Sequence, residues 1–423
     1  MLSTPTEQPR SGTAGKDTMR KTMTPLLVTV LVVYSAQQLL MPILAPLSRE
    51  LSLTETQLGL VVTVAAATLT IASPLWGRAL DRLGLRTVLL AGLGLATSGL
   101  AGFAAVAAIG LDGTSGPALT FGLMLATRSL LFGAGIAAIP VAALAVAGTV
   151  TTNETDRTRV VGLVGAAQGL SLVLGPAAGG TLALVSLMLP LYVAPVLPLL
   201  LAGWVLTAVP GVTPARPEAE RPAKIRPWQA HLWPLFAIGF LLYLSLSLVQ
   251  VIIGFLVADR LGLDPQATAG AVGVVLFVSG LVLVAVQGAV VPKLGWPARR
   301  LLRTGIPITI AAFALLALAG QLWTMTAAFA VLSLGLGLAI PGFTTAPTLA
   351  VGPDQQGSVA GLVNATIGAT FVAGPLLGTA LYELQPVAPV LAALGSVTAA
   401  LGLTWGAPAA HRIGEKAVAS AAG

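Results

Sequence analysis

The chain is short of charge. Of its 423 residues only 9% are Asp, Glu, Lys or Arg, against 56% hydrophobic, whereas an ordinary soluble domain carries about 25% charged residues. No water-soluble core absorbs that composition. Cysteine is absent altogether, which excludes disulfides and thiolate metal sites. The two histidines, His231 and His411, fall outside every long apolar run. No Asp or Glu lies in the core of such a run: Glu50, Asp259 and Glu383 stand at run ends, and Asp112 and Asp264 lie between runs. A membrane-embedded enzyme needs paired Asp, a Ser/His dyad or a metal cluster in its spans, and a phosphate loop needs a Gly-rich turn following a strand. Neither pattern is present, so the sequence reads as a non-enzyme with no cofactor, no metal and no ATP site.

What is present is apolar length. A hydrocarbon layer ~30 Å thick is crossed by about 20 apolar residues in a helix, and runs of that length recur along the chain, whose mean hydropathy is +0.92. The runs cover 25–47, 57–77, 87–109, 118–146, 160–186 and 190–209, then 232–257, 267–291, 303–321, 323–346, 358–382 and 386–408. Backbone groups in lipid must be satisfied within the segment, and the alternation of a barrel strand is missing, so these spans are expected as helices. The fold class is an all-α polytopic membrane protein with twelve transmembrane helices.

The formal charge of +7 does not point to nucleic acid, because the basic residues are dispersed among short loops. Nineteen of the 22 Lys and Arg fall in segments on one side if the N-terminus is cytoplasmic; Arg49 and Arg260 fall on the other side and Arg128 inside a span. That bias satisfies the positive-inside rule with both termini in the cytoplasm. The first apolar run follows Arg10, Lys16, Arg20 and Lys21 and has no small-residue cleavage site, so it reads as a retained helix.

A Pro-rich, mixed-charge stretch, VTPARPEAERPAKIRPWQ, separates the sixth and seventh runs and has the character of an extended, solvated linker. The organisation is therefore a cytoplasmic tail over 1–24, a six-helix bundle over 25–209, a linker over 210–231, a second six-helix bundle over 232–409 and a tail over 410–423. The halves echo each other. GLVGAAQGLSLVLGPAAGGTL from Gly162 matches GLVNATIGATFVAGPLLGTAL from Gly361 at 10 of 21 positions, and GAGIAAIP (Gly133 to Pro140) parallels GLGLAIP (Gly335 to Pro341). Two pseudo-symmetric bundles of this kind place a transport site between the repeats.

The turn between the second and third runs, PLWGRALDRLGLRTVLL, crowds Arg78, Asp81, Arg82 and Arg86 into a chain otherwise poor in charge. The arginines orient the helices, but Asp81 adds nothing to orientation. The pattern Gly77, Asp81, Arg82, Gly84, Arg86 resembles the loop motif of the major facilitator superfamily. That resemblance implies the major facilitator fold, a transporter working by alternating access, and an aspartate that latches onto the start of the eleventh helix, here near Gly357 and Ser358. A carboxylate at a helix N-terminus is stabilised by about 0.3–1 kcal/mol. The matching turn in the second half keeps Gly288, Lys293 and Gly295 but has Pro292 in place of the aspartate, so a gate with only one such latch is expected. Gly175, Pro176, Gly179 and Gly180, with their repeat Gly374, Pro375 and Gly378, resemble the motif of the drug/metabolite:proton antiporter branch. In such a segment Pro bends the helix and Gly at i, i+4 allows close helix approach.

Arg128 is the one charge well inside a span, where an arginine requires a cavity or a partner. RSLLFGAG resembles the family's fourth-helix arginine before a glycine-rich stretch, with Gly133 five residues on where four are expected. Arg128 is thus a candidate coupling residue. With no carboxylate in a span core, the expected proton carrier is a rim group, Asp259 or Asp81. The candidate cavity residues are neutral: Tyr34, Gln37, Gln38, Gln168, Tyr243, Gln250, Asn364 and Phe371, with Gln287 as a further amide. An aromatic, amide-lined cavity suits an amphipathic organic molecule. The resulting expectation is a bacterial inner-membrane exporter of a small organic compound, a drug or metabolite, in exchange for protons. It acts as a monomer, with membrane lipid and no nucleic acid as a partner. The competing expectation is uptake or facilitated diffusion of an organic anion with Arg128 as its counter-charge.

Overall fold

The computed structural model describes residues 11–150, 154–209, 232–352 and 355–406. The linker 210–231, the tail 410–423 and the first ten residues lie outside the described residues. Among the described residues twelve helices are long and apolar enough to cross a membrane. In the first half they are α1 (Met23–Glu50), α2 (Glu55–Leu83), α3 (Leu85–Leu111), α4 (Pro117–Val146), α5 (Val160–Val185) and α6 (Leu189–Ala208). In the second they are α7 (Trp233–Leu261), α8 (Pro265–Leu294), α9 (Ala298–Leu318), α10 (Leu322–Leu349), α11 (Ser358–Leu384) and α12 (Ala388–Gly406). The helix that leads into α1 already begins at Ser11.

Local sequence sets several of the ends. Thr54 and Gln57 form a reciprocal capping box at the start of α2, satisfying two backbone donors that the helix leaves open. Asp264 caps α8, accepting from the Ala267 amide at 2.8 Å, with Pro265 at the first helical position. One residue, Gly84, joins α2 to α3 at φ 81°, a backbone conformation that strongly favours glycine. α1 breaks at Leu40, just before Pro42. Pro42 has no amide hydrogen to continue the ladder to the Gln38 carbonyl, so the helix turns there.

The repeat inferred from the sequence is also a repeat in packing. In the first half α5 lies on α1; in the second α11 lies on α7. A Cβ on Gly179 would stand 2.0 Å from the Leu39 carbonyl oxygen, and one on Gly378 would stand 2.3 Å from that of Leu248. One turn away, Gly175 faces the Gln38 side chain and Gly374 faces that of Ser247. α3 and α4 meet at Gly92 and Gly135, and α9 and α10 meet in the same manner at Gly305 and Gly335. Where the hydrophobic effect does not drive helices together, small residues admit the close contact that dispersion requires.

The halves join along α2–α11 and α5–α8, but only over part of their length. We call the end where α1 begins and α12 finishes the basic end, and the other the far end. Towards the far end, Gly59 of α2 sits on Pro375 and Thr379 of α11, Gly180 of α5 sits on Gly273 of α8, and Gly254 of α7 sits on Ala45 of α1. Residues 42–48 of α1 and 252–257 of α7 are buried on every face. Towards the basic end a Cβ on Gly77, Gly162, Gly165, Gly169, Gly288 or Gly361 would meet nothing within 4 Å. Residues 284–290 of α8, Val286 excepted, are exposed on successive faces. A helix covered on one side would be exposed on one face only, so the bundles are packed at the far end and splayed at the basic end.

Replacing Gly179 or Gly378 with Ala is expected to lower stability by about 1–3 kcal/mol through overpacking. Gly165→Ala is expected to leave it unchanged. The thermal unfolding midpoint in detergent measures both.

Candidate functional site

A cavity of about 100 Å³ lies between α1, α5, α7, α8 and α10. Met41, Leu246, Leu276, Phe329 and Leu336 make it apolar, and four polar side chains interrupt the wall: Gln38, Gln250, Ser279 and Ser333. Ser279 and Ser333 share a hydrogen bond of 2.6 Å, tying α8 to α10. Gln38 is held at this depth because α5, bare at Gly175, presses against its Cβ, while Pro176 of the same stretch forms part of the wall. The arrangement offers an apolar slot with two amides and two hydroxyls, and no charge.

Of the residues expected from sequence, Gln38 and Gln250 line this cavity. Tyr243 stacks edge-on with Phe371 at 6.3 Å and with Phe343 at 6.1 Å, an aromatic group shared by α7, α10 and α11. Tyr34 interacts with the Gln168 side chain, linking α1 to α5. Gln37 is outside the cavity wall, and Asn364 and Gln287 are exposed towards the basic end; the structure does not gather these three with the others. Phe343, Phe329, Ser279 and Ser333 were missed in the sequence because Phe and Ser in an apolar helix carry no signal of the direction they face.

Arg128 is 2% exposed. Its guanidinium lies over the Phe132 ring at 5.1 Å, and its Nε has no hydrogen-bond partner. It belongs to a π-helical turn, Leu125–Leu131, in which the Phe132 amide donates to the Thr127 carbonyl. A π-turn absorbs one extra residue. That accounts for the five-residue step from Arg128 to Gly133, which packs on the Ala65 carbonyl and Thr68 of α2. Arg128 is a buried cation of the first half and does not line the cavity described above.

The latch residues separate into different surroundings. Asp81 and Arg82 are exposed at the end of α2, Gly77 has open space around it, and Gly84 makes the tight link to α3. Arg86 donates to the Leu206 carbonyl at the end of α6, a contact within the first half and so a tie between its own helices, not between the halves. Of the acceptors expected at the start of α11, Gly357 lies outside the residues whose burial is described, and Ser358 is half-buried as the first residue of α11.

A polar cluster joins the halves at the far end. Arg49 of α1 grips Asp259 of α7 with both guanidinium arms, one at 3.0 Å, and reaches Glu55 of α2 at 3.1 Å. The Tyr382 hydroxyl of α11 donates to Asp259 Oδ2 at 2.7 Å, the oxygen that also accepts from Arg49 at 3.0 Å. Phe255 supports the cluster, with Arg49 over its ring at 5.0 Å and Tyr382 at 5.8 Å. Next to it Glu383 accepts from the Thr56 amide at 2.7 Å. Four helices from both halves thus converge on one ion pair. Asp259 was expected from the sequence as a rim acid; Arg49 and Tyr382 were not. The available signal was that Arg49 is one of only two basic residues on that side.

No group of three or more potential metal ligands exists among the described residues. The model of the Major Facilitator Superfamily matches residues 26–375. The chain belongs to that superfamily. Its members are transporters, so the chain is not an enzyme. Multidrug resistance protein 2 of Bacillus subtilis is 26% identical over 397 residues, covering 90% of this chain and 93% of that protein. Tetracycline resistance protein, class B, of Escherichia coli is 25% identical over 359 residues, covering 82% and 84%. Among solved structures, a bacterial homologue of the human lysosomal transporter Spinster, inward-facing and unoccupied, superposes with a TM-score of 0.67 at 12% identity, covering 97% of this chain and 96% of that one. The human organic anion transporter MFSD10 superposes at 0.64 with 18% identity, covering 94% and 100%. These two likenesses bear on the fold alone: twelve helices in two six-helix bundles.

The absence of cysteine makes the far-end seal easy to probe. The Thr63 hydroxyl of α2 donates to the Val372 carbonyl of α11 at 2.9 Å, so a single cysteine at Thr63 is shielded while the seal holds. A partly exposed ion pair is worth about 1 kcal/mol at most. Asp259→Asn should therefore raise labelling by an impermeant maleimide from the far side about fivefold. Arg49→Gln should do the same, and the double variant no more than either.

Proposed function

We propose that this transporter exports a small amphipathic organic compound by alternating access, in exchange for protons. The observation that carries the reading is the contrast between its ends: two copies of one bundle design, sealed at the far end and parted at the basic end. With the basic end placed in the cytoplasm by the positive-inside rule, the state seen here faces inward. The protein then lies in a bacterial inner membrane with both termini inside, and one chain suffices to enclose the cavity. Substrate enters between the splayed halves and reaches the slot at Gln38 and Gln250. Its apolar walls and neutral hydrogen-bonding groups match a molecule with an apolar body and a few polar atoms. The relatives named for multidrug and tetracycline resistance support outward transport of such a compound.

Opening outward breaks the Arg49–Asp259 pair, since its partners belong to different halves. A proton on Asp259 removes the charge on which that pair depends and favours opening at the far end; Asp259 gives the proton up again as Arg49 re-forms the pair on closing. Asp81, across the basic end from the start of α11, latches that end in the outward-facing state. Arg128, a cation with an unpartnered Nε beside the α2 interface helix, senses the exchange through the first half.

Inside-out vesicles energised by respiration, with a pH-gradient dye and a panel of drugs and metabolites, test the reading. A transported compound should partly collapse the gradient in wild-type vesicles and leave it intact with Arg128→Ala or Asp81→Asn, each inserted in the membrane at normal levels. Wild-type flux in both variants would remove the roles given to those residues. Substrate exchange that is indifferent to the gradient would remove proton coupling. Gln250→Leu should raise the half-saturating concentration about five- to tenfold, the loss of one hydrogen bond.

A further inference from the structure

The start of α9 carries more positive charge than the matching start of α3. Gly92 of α3 and Gly305 of α9 pack equivalently on α4 and α10, which puts the two helices in register. Six residues before each glycine stands an arginine, Arg86 and Arg299. At the next position α3 has Thr87 and α9 has Arg300; two residues before the glycine α3 has Leu90 and α9 has Arg303. The first half carries neither of these two charges on its matching helix; its other arginines, Arg78 and Arg82, stand before Gly84 in the turn.

They are also poorly placed for stability. Arg300 and Arg303 are i, i+3 on one helical face, where like charges repel. They lie in the first two turns of α9, where the helix dipole disfavours cations, and Pro297 at the N-cap supplies no side-chain cap. No described carboxylate pairs with either; both ion pairs among the described residues belong to Arg49. Each guanidinium instead lies over an indole: Arg300 over Trp296 at 4.2 Å and Arg303 over Trp405 of α12 at 4.3 Å. The Nε of Arg303 is buried without a partner. Lys293 is exposed just upstream. A helix N-terminus and two arginines one turn apart, with an exposed lysine just upstream, suit one species, an oxyanion.

The surroundings say which one. α9 packs on α10 and α12, and α12 on α7, α9 and α11, so this corner of the second half looks away from the interface between the halves. Trp405 is 58% exposed at the end of an apolar span, the position at which indoles sit among headgroups. We infer that Arg300, Arg303, Trp296 and Trp405 bind the phosphate of an anionic phospholipid headgroup at the basic end of α9. Basic pockets beside transmembrane helices on the cytoplasmic side take such headgroups.

The test uses the full-length protein in mild detergent, with native mass spectrometry and thermal unfolding as readouts. The variant R300T/R303L installs the residues that the first half carries at the matching positions, and R300Q/R303Q gives a second replacement should the first fail to elute as a folded species. Wild type is expected to retain added phosphatidylglycerol, with a raised unfolding midpoint. The variant's affinity is expected to fall about thirtyfold, from the loss of two basic contacts. Phosphatidylcholine should be held by neither protein. Equal retention of phosphatidylglycerol by wild type and both variants overturns the inference, as does equal retention of phosphatidylcholine by wild type. A midpoint rise with millimolar inorganic phosphate alone would assign the site to a soluble anion and overturn the lipid.

Discussion

The structure depends on missing side chains. At Gly179 and Gly378 the helix backbone of α5 or α11 touches a carbonyl of α1 or α7 where any Cβ would collide. Helices in lipid gain little from the exclusion of water, so much of the attraction comes from dispersion over a close, matched surface, with hydrogen bonds such as Tyr34–Gln168 beside it. Glycine supplies that closeness at the cost of helix propensity, a cost that matters less where no water competes for the backbone. The same contact is built twice, once in each half, and packs the helices of each bundle closely along that seam.

That interface is unequal along its length. Its far half repeats the glycine device across the two bundles, at Gly59 on Thr379 and Gly180 on Gly273, and adds the Arg49–Asp259–Tyr382 cluster. Its basic half keeps its glycines, Gly77 and Gly361 among them, with nothing against them. Small residues that are bare in one state are where a second state can close. The charges divide in the same way. Arg49 and Asp259 are compact and mutually satisfied, whereas the basic end is rich in arginine and poor in described acidic partners. At the far end one ion pair, Arg49–Asp259, joins the halves among the described residues.

Much of this was legible from residues alone. Twelve spans, two halves and the Gly175–Pro176 repeat follow from apolar length and a fixed register, because lipid permits a spanning segment almost no structure except a helix. The family followed from the turn around Asp81 together with the repeat. Harder to read were side-chain directions. Gln38 and Gln250 line a cavity while Gln37, Gln287 and Asn364 do not, although all five are amides in apolar helices. The five-residue step from Arg128 to Gly133 looked like an imperfect match until the π-turn at Leu125–Leu131 absorbed the extra residue.

Arg86 and Arg49 show the same division. In the sequence Arg86 belongs with Asp81 and Arg49 is a stray basic residue; in space Arg86 ties α3 to α6 and Arg49 closes the far end. Residue order was enough to count the apolar spans, to show that the chain is duplicated, and to show which side its charges favour. All three are local or additive properties of composition. Only the tertiary structure decided which amides face the slot, which acid meets which base, and which end is shut. Each of those depends on the rotation and tilt of helices far apart in the chain, and a helix that is apolar all round carries no mark of which face its neighbours will cover.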